Sequence, residues 1–320
     1  MLLLRILPLF VVLLVGFGAG WAGVFPSVKD AIAALNRYTL YIAAPLLIFG
    51  GMADPAMELP TELGFYLAHV VSLVFVVVCV RVAGMSARLR PHVGTLALCT
   101  VYGNITYLGI PLIERALGAH AFGLASLSSG IHSFFAMTLG PALFLMWNEG
   151  EDDHRYGVRE VRRRLQRQPM VWAPFLGIIA HAFPDGAQGV IVDYALVLGM
   201  SAGPVAIFML GLYVWDRREA LRKVQAPALA ISVLKLALFP AIAIAIVLAL
   251  RTSFPLTDME AMIVATQAAM PVAVTTLSIA EEFKLDQDTV ASSAILTSIV
   301  SLVTIPLVMS VSARLFGVVG

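Results

Sequence analysis

Two groups of residues sit in the middle of long apolar runs: Gly103-Asn104, with Gly109 and Pro111 close behind, and Gln267, with Met270-Pro271 just after it. Proline removes a backbone donor and clashes with the turn before it, and glycine lowers the cost of unwinding. Both runs are therefore expected to break near their midpoints, with Gly109, Pro111 and Pro271 as the breaking residues. A helix that stops and restarts presents unpaired N–H groups and the positive end of its dipole at the restart. Two such restarts facing one cavity favour an anion, and the amides of Asn104 and Gln267 can donate to a carboxylate. The competing reading is that Pro111 and Pro271 only kink packed helices. The chemistry in view is recognition of an anion, with no bond-making implied.

The elements that hold these residues are apolar throughout. Hydrophobic residues make up 60% of the 320 and charged ones 13%, and the mean hydropathy is +0.90, far from the composition of a soluble domain. Ten apolar segments can be marked, at 2–24, 32–53, 62–84, 93–117, 121–147, 170–184, 190–215, 226–250, 259–282 and 287–315. Most reach the ~20 residues that span hydrocarbon. They predict an all-α integral membrane protein of ten transmembrane helices, numbered 1 to 10 by segment, with helices 4 and 9 broken and crossing at mid-membrane. Non-helical backbone at that depth has to line protein or a water-filled cavity. Arg5 and the run that follows mimic a signal peptide, but the n-region is minimal and the segment is expected to be retained. Cys79 and Cys99 lie inside apolar segments and read as small hydrophobes.

A net charge of +1 conceals a strong asymmetry. Of 21 Lys and Arg, sixteen fall in one set of alternating connectors, from Lys29 and Arg37 through Arg81, Arg88, Arg90 and the 148–169 stretch to Arg217, Arg218, Arg222, Lys223 and Lys284. The other set holds only Arg5, Arg115, Arg251 and Arg314, and its connectors near Asp54, Glu58, Glu62, Asp185 and Asp193 have no cation. The positive-inside rule places the sixteen in the cytoplasm and both termini outside it, in a multi-pass plasma or inner membrane protein. The Arg162-Arg163-Arg164 run reads as an anchor at anionic lipid; no nucleic-acid partner is expected.

Five helices is an odd number, so two five-helix halves sit in the membrane with opposite orientation. Pro45-x-x-Ile48-Phe49 in helix 2 matches Pro204-x-x-Ile207-Phe208 in helix 7, and Ser128, Ser133 and Pro141 in helix 5 match Ser293, Ser298 and Pro306 in helix 10. The expected organisation is a first repeat at 1–147, a cytoplasmic connector at 148–169 and a second, inverted repeat at 170–320.

Other polar residues have two readings each. Lys235, well inside helix 8, either snorkels to the rim or serves as a fixed cation that takes a coupling ion's place or retains a substrate charge. His69 lies at the corresponding place in helix 3, and His69 and His132 suit either a proton relay or ordinary hydrogen bonding. Ser128, Ser129, Ser133, Thr297 and Ser298 line a cavity or pack helices together. Gly199-Met200-Ser201-Ala202-Gly203 matches the Gly-x-Ser-x-Gly nucleophile pattern, which would make Ser201 an intramembrane hydrolase nucleophile. That elbow needs a strand-to-helix turn, whereas two glycines four apart in an apolar helix read as a close-packing face. No metal, nucleotide or phosphate-binding motif occurs, and no cofactor is expected.

Several of these stretches together resemble the auxin efflux carrier family, which includes plant auxin exporters and bacterial permeases. They are Leu35-Asn36-Arg37 leading to Ala44-Pro45-Leu46-Leu47, Gly103-Asn104-Ile105-Thr106-Tyr107-Leu108-Gly109-Ile110-Pro111, Ala269-Met270-Pro271 with Ile279-Ala280-Glu281-Glu282-Phe283, and Asp288-Thr289-Val290 on to Ile305-Pro306-Leu307. The resemblance implies a carboxylate bound where helices 4 and 9 cross, a homodimerising scaffold of helices 1, 2, 6 and 7, and a transport unit of helices 3–5 and 8–10 moving as an elevator. The residues expected at the substrate are Gly103, Asn104, Ile105, Gln267, Met270, Pro271 and Val272, with Pro45, Ser128 and His132. With only 22 residues in the central connector, the large loop of the plant exporters is missing, and nothing marks an indole pocket. The expected function is secondary transport of a small mono- or dicarboxylate; a Ser201 hydrolase and an anion channel are the alternatives.

The basic asymmetry makes a direct prediction. A cysteine placed at Arg163 should react with a membrane-impermeant thiol reagent only after the cytoplasmic face is opened, and labelling from outside intact cells would invert the topology.

Overall fold

The computed structural model describes residues 2–55, 57, 63–86, 89–147, 163, 166–219, 226–282 and 285–317. Most of the 148–169 connector, and with it Arg155, Arg159, Arg162 and Arg164, lies outside the described residues, as do Arg88, Arg222, Lys223, Lys284, Phe283, Glu58 and Glu62. The described residues are helical, with one isolated antiparallel bridge and no strand. Five stretches are long and apolar enough to cross a membrane: Val28–Met52, Leu63–Ala83, Gly186–Asp216, Ala226–Leu250 and Gln287–Phe316. This is an all-α membrane protein. Among the described residues, Val11–Trp21 and Pro169–Ala180 are shorter apolar helical stretches.

The chain divides into two compact units, one of residues 1–59, 105–133 and 168–218 and another of 60–104, 134–167 and 219–320. Segments 1, 2, 6 and 7 fall in the first and segments 3, 8, 9 and 10 in the second, while segments 4 and 5 are divided at Asn104/Ile105 and Ser133/Phe134.

In the first unit, α1 (Leu2–Trp21) packs on the late helix α10 (Ala202–Asp216). Glycine makes that contact intimate: a Cβ on Gly16 would stand 2.0 Å from the Phe208 carbonyl oxygen, and one on Gly211 would stand 2.0 Å from that of Leu13. Helices in lipid gain from such close backbone approach because burial of apolar surface alone drives nothing there. Segment 2 comprises α2 (Val28–Tyr38), capped by Ser27 accepting from the Asp30 N–H, and α3 (Ala44–Met52). The carbonyl end of α3 is closed by a side chain just after α8 (Pro169–Ala180) and one from α9 (Asp185–Gly199). Gln188 Nε2 donates to the Ala53 carbonyl at 2.9 Å and lies 3.2 Å from His181 Nδ1, which leaves His181 Nε2–H to donate to the Met52 carbonyl at 3.0 Å. The helix α9 starts five residues earlier than the apolar run, at Asp185 behind Pro184, and includes Asp193.

In the second unit, α4 (Leu63–Ala83), α5 (Val93–Val101), α11 (Ala226–Val233), α12 (Phe239–Leu250), α13 (Asp258–Ala268), α14 (Thr276–Glu282) and α15 (Gln287–Phe316) pack together; α6 (Ile110–Leu117) belongs to the first unit, and α7 (Phe122–Trp147) runs through the boundary. A capping box starts α13, with Glu260 Oε2 accepting from the Thr257 N–H at 2.7 Å and Thr257 Oγ1 accepting from the Glu260 N–H. Asp286 caps α15 and faces His92 at 3.3 Å. Partial burial raises the Asp286 carboxyl, but the Thr289 hydroxyl and N–H and the nearby His92 outweigh it and hold the group below the ordinary carboxylate range.

Three interior prolines share one local solution. Each of the wide i→i+5 turns at Thr39–Ala43, Ile105–Gly109 and Leu234–Leu238 is followed two residues on by a proline, Pro45, Pro111 or Pro240. A proline ring clashes with the carbonyl four residues back, and widening the preceding turn gives it room without ending the helix. Gly109 and Pro111, expected to break helix 4, thus lie in continuous helix; the carbonyl that Pro111 cannot satisfy, Tyr107 O, is turned toward Gly203, where a Cβ would sit only 3.0 Å from it.

The α1/α10 contact is testable by thermal melting in detergent. Gly211→Val should destabilise the protein by about 1–3 kcal/mol, the usual range for overpacking, whereas Gly18→Ala, with nothing within 4 Å of a new Cβ, should melt like the parent. Equal melting of the two variants would show that the backbones are not in this contact.

Candidate functional site

Segment 4 leaves the helix at Tyr102-Gly103-Asn104, between α5 and the wide turn at Ile105–Gly109, and segment 9 leaves it from Ala269 to Thr275, between α13 and α14. The two breaks run antiparallel, side by side. Asn104 N–H donates to the Pro271 carbonyl at 2.7 Å and Ala273 N–H to the Tyr102 carbonyl at 3.1 Å, flanking the pair Gly103 and Val272. This is the non-hydrogen-bonded position of an antiparallel pair, where chains approach to about 4.5 Å between Cα atoms. Val272 N–H donates to Thr297 Oγ1 of α15 at 3.1 Å, and that hydroxyl donates onward to the Ser293 carbonyl at 2.7 Å. Each break therefore supplies partners the other lost on leaving its helix.

One redirected bond has an electrostatic consequence. In a continuous helix Asn104 N–H would satisfy the Thr100 carbonyl four residues back; here it goes to Pro271, and the Thr100 carbonyl accepts instead from Lys235 Nζ at 3.0 Å. An ammonium thus closes the negative end of α5. Lys235 is 0% exposed, so it does not snorkel, and its Nζ also lies 4.6 Å from the centre of the Phe239 ring. Among the described residues no carboxylate is within ion-pair distance of it.

The Asn104 side chain is buried at 3% exposure, and its Oδ1 has no hydrogen-bond partner among the described residues; the same holds for Thr266 Oγ1 one turn from the end of α13. Met270, Val272 and Gln267 are fully buried. Gly103, Asn104, Gln267, Met270, Pro271 and Val272 thus come together in one unit, along with Lys235 and His69, whose ring meets Phe65 edge-on at 4.7 Å. Pro45, Ile105, Gly109, Pro111, Ser128 and His132 belong to the other unit. There Ser128 is fully buried, and Ser129 hydrogen-bonds Thr106. Thr100 and Tyr102 were missed in the sequence because they act through their carbonyls, and their only signal is their position four and two residues before Asn104. The backbone donors expected to face an anion are partly used on other protein groups, leaving the Asn104 amide and the Lys235 ammonium as the distinctive polar groups of the break.

Ser201 has no part in a nucleophilic dyad. Its hydroxyl donates to the Leu198 carbonyl at 2.6 Å and stands 2.7 Å from the Tyr38 hydroxyl, so Tyr38 is the donor to it. Gly199 and Gly203 face backbone and proline: their Cβ positions lie 2.8 Å from Leu47 N and 2.7 Å from Pro111 Cγ.

Residues 1–309 match the model of a family described as "Membrane transport protein". The chain belongs to this family, that of the auxin efflux carriers. It is 29% identical over 311 residues to an "Uncharacterized transporter" of Methanothermobacter thermautotrophicus strain Delta H, covering 94% of this chain and 95% of that protein. It is 24% identical over 311 residues to a Rhizobium meliloti protein named "Putative malonate transporter", covering 94% and 92%. This member of the membrane transport family is a multi-pass transporter and not an enzyme.

Proposed function

We propose that this chain is a secondary carrier of a small mono- or dicarboxylate, bound where the breaks of helices 4 and 9 cross. The observation that carries this reading is the antiparallel pairing of the breaks, which holds the buried Asn104 amide beside Met270-Pro271. Unwound backbone at membrane depth is tolerated where it is enclosed by protein or lines a cavity, and paired breaks of this kind are the usual place for a carrier's substrate. The malonate in the name of the Rhizobium relative supports a carboxylate as the ligand class.

The architecture we propose is ten transmembrane helices in two inverted five-helix repeats, with both termini outside the cytoplasm. Antiparallel pairing of the breaks in segments 4 and 9 is what an in-plane pseudo-two-fold axis would produce. The helices around the matched prolines support it too: a wide turn precedes Pro45, and an interruption at Met200-Ser201 precedes Pro204. Helices 1, 2, 6 and 7 serve as the fixed, dimer-forming scaffold and the crossover travels with the other helices as an elevator. The gathering of segments 1, 2, 6 and 7 in one compact unit supports this division.

Purified protein should be stabilised against heat by small carboxylates, because a ligand that binds only the folded state raises apparent stability. Asn104→Leu removes the amide at nearly constant volume and should lower carboxylate affinity roughly ten- to hundredfold, the ~1–3 kcal/mol cost of an unpaired buried polar group, with folding preserved. Pro271→Ala should do likewise by letting segment 9 close its helix. Saturable uptake into liposomes without unitary currents is the expected transport behaviour. Stabilisation by cationic or neutral solutes alone, or parental affinity in both folded variants, would refute the site.

A further inference from the structure

The Lys235 ammonium has three N–H donors, and the structure accounts for one of them, on the Thr100 carbonyl. Its positive charge meets a carbonyl dipole and the face of the Phe239 ring but no carboxylate among the described residues. A fully buried cation without a counter-charge is costly in a membrane protein, and such residues mark the path or site of a charged solute. The position is specific. Thr100 is four residues before Asn104, and its carbonyl accepts from Lys235 where the Asn104 N–H has been drawn across to Pro271. The ammonium is therefore tied to the same redirected bond that creates the crossover, and the wide turn at Leu234–Leu238 that carries it is the one that accommodates Pro240.

We propose that Lys235 is the specificity-determining cation of the crossover, whose missing counter-charge is supplied by a carboxylate of the transported anion. This rests on the reading of the chain as a carboxylate carrier and adds to it the residue that reads the ligand's charge. Asn104 offers a hydrogen bond that a neutral amide could equally use, so it cannot tell an acid from its amide. An ammonium can, because only the charged form neutralises it. A dicarboxylate would bind with one carboxylate at Lys235 and the other at the Asn104 side.

The test uses the full-length protein in detergent and three probes of one shape: malonate, its monoamide and its diamide. Affinity read by thermal shift in the wild type should be within about threefold for malonate and its monoamide, which keeps one carboxylate for Lys235, and should fall at least tenfold for the diamide. Lys235→Met keeps most of the apolar stem and should collapse the discrimination to within about threefold, while Lys235→Arg, which keeps the charge, should preserve the order of affinities. A purely structural cap predicts a lower melting temperature in Lys235→Met with the discrimination ratio unchanged, and that result would overturn the proposal. So would a wild type that binds the diamide as well as malonate, a measurement that needs no variant to fold. If no carboxylate stabilises the wild type, the carrier reading itself falls; if malonate does but Lys235→Met keeps full discrimination, only the role of Lys235 falls.

Discussion

Backbone polar groups inside a bilayer have no water to turn to, and each one left unpaired costs several kcal/mol. A helix that unwinds in that setting must find every lost partner within the protein. Here two helices unwind together and satisfy each other: Asn104 to Pro271, Ala273 to Tyr102, with Thr297 taking the Val272 N–H and Lys235 closing the Thr100 carbonyl. Four elements, α5, α13, α15 and the wide turn before α12, are thereby fixed around a few residues. The interruption of segment 4 depends on that of segment 9, and removing either would strand the other's donors and acceptors.

Four prolines meet this constraint in two ways. Pro271 lies in an open break where its carbonyl is used and its missing N–H costs nothing. Pro45, Pro111 and Pro240 each follow a widened turn, where the helix continues. Tyr107 O, displaced by Pro111, comes close to Gly203 because nothing larger than glycine would leave it space. The glycines at 16, 199, 203 and 211 therefore serve close packing, and the Gly-x-Ser-x-Gly pattern around Ser201 is a by-product of that packing.

Much of this was legible in the residues. The composition, the apolar runs and the pairing of Gly103-Asn104 with Met270-Pro271 as two central breaks all follow from elementary costs of burying polar backbone, and the family assignment agrees with them. Which residues open the first break was not: Gly109 and Pro111 read as the breaking residues behind Gly103-Asn104, yet they lie in helix and the chain opens at Tyr102-Gly103-Asn104 alone, because tertiary pairing with segment 9 compensates opening there and a wide turn absorbs Pro111. Lys235 was left between two readings because a sequence gives depth along a helix but not what the ammonium faces. Its partner is a main-chain carbonyl, which has no letter in the sequence.

The proposed binding of the anion at the paired breaks can be located directly. Anomalous diffraction from crystals grown with a bromine-labelled small dicarboxylate locates the ligand independently of any functional assay. A single strong bromine peak is expected within contact distance of the Asn104 side chain and the Met270-Pro271 break. A fully occupied peak elsewhere in the protein, with that place empty, would contradict it.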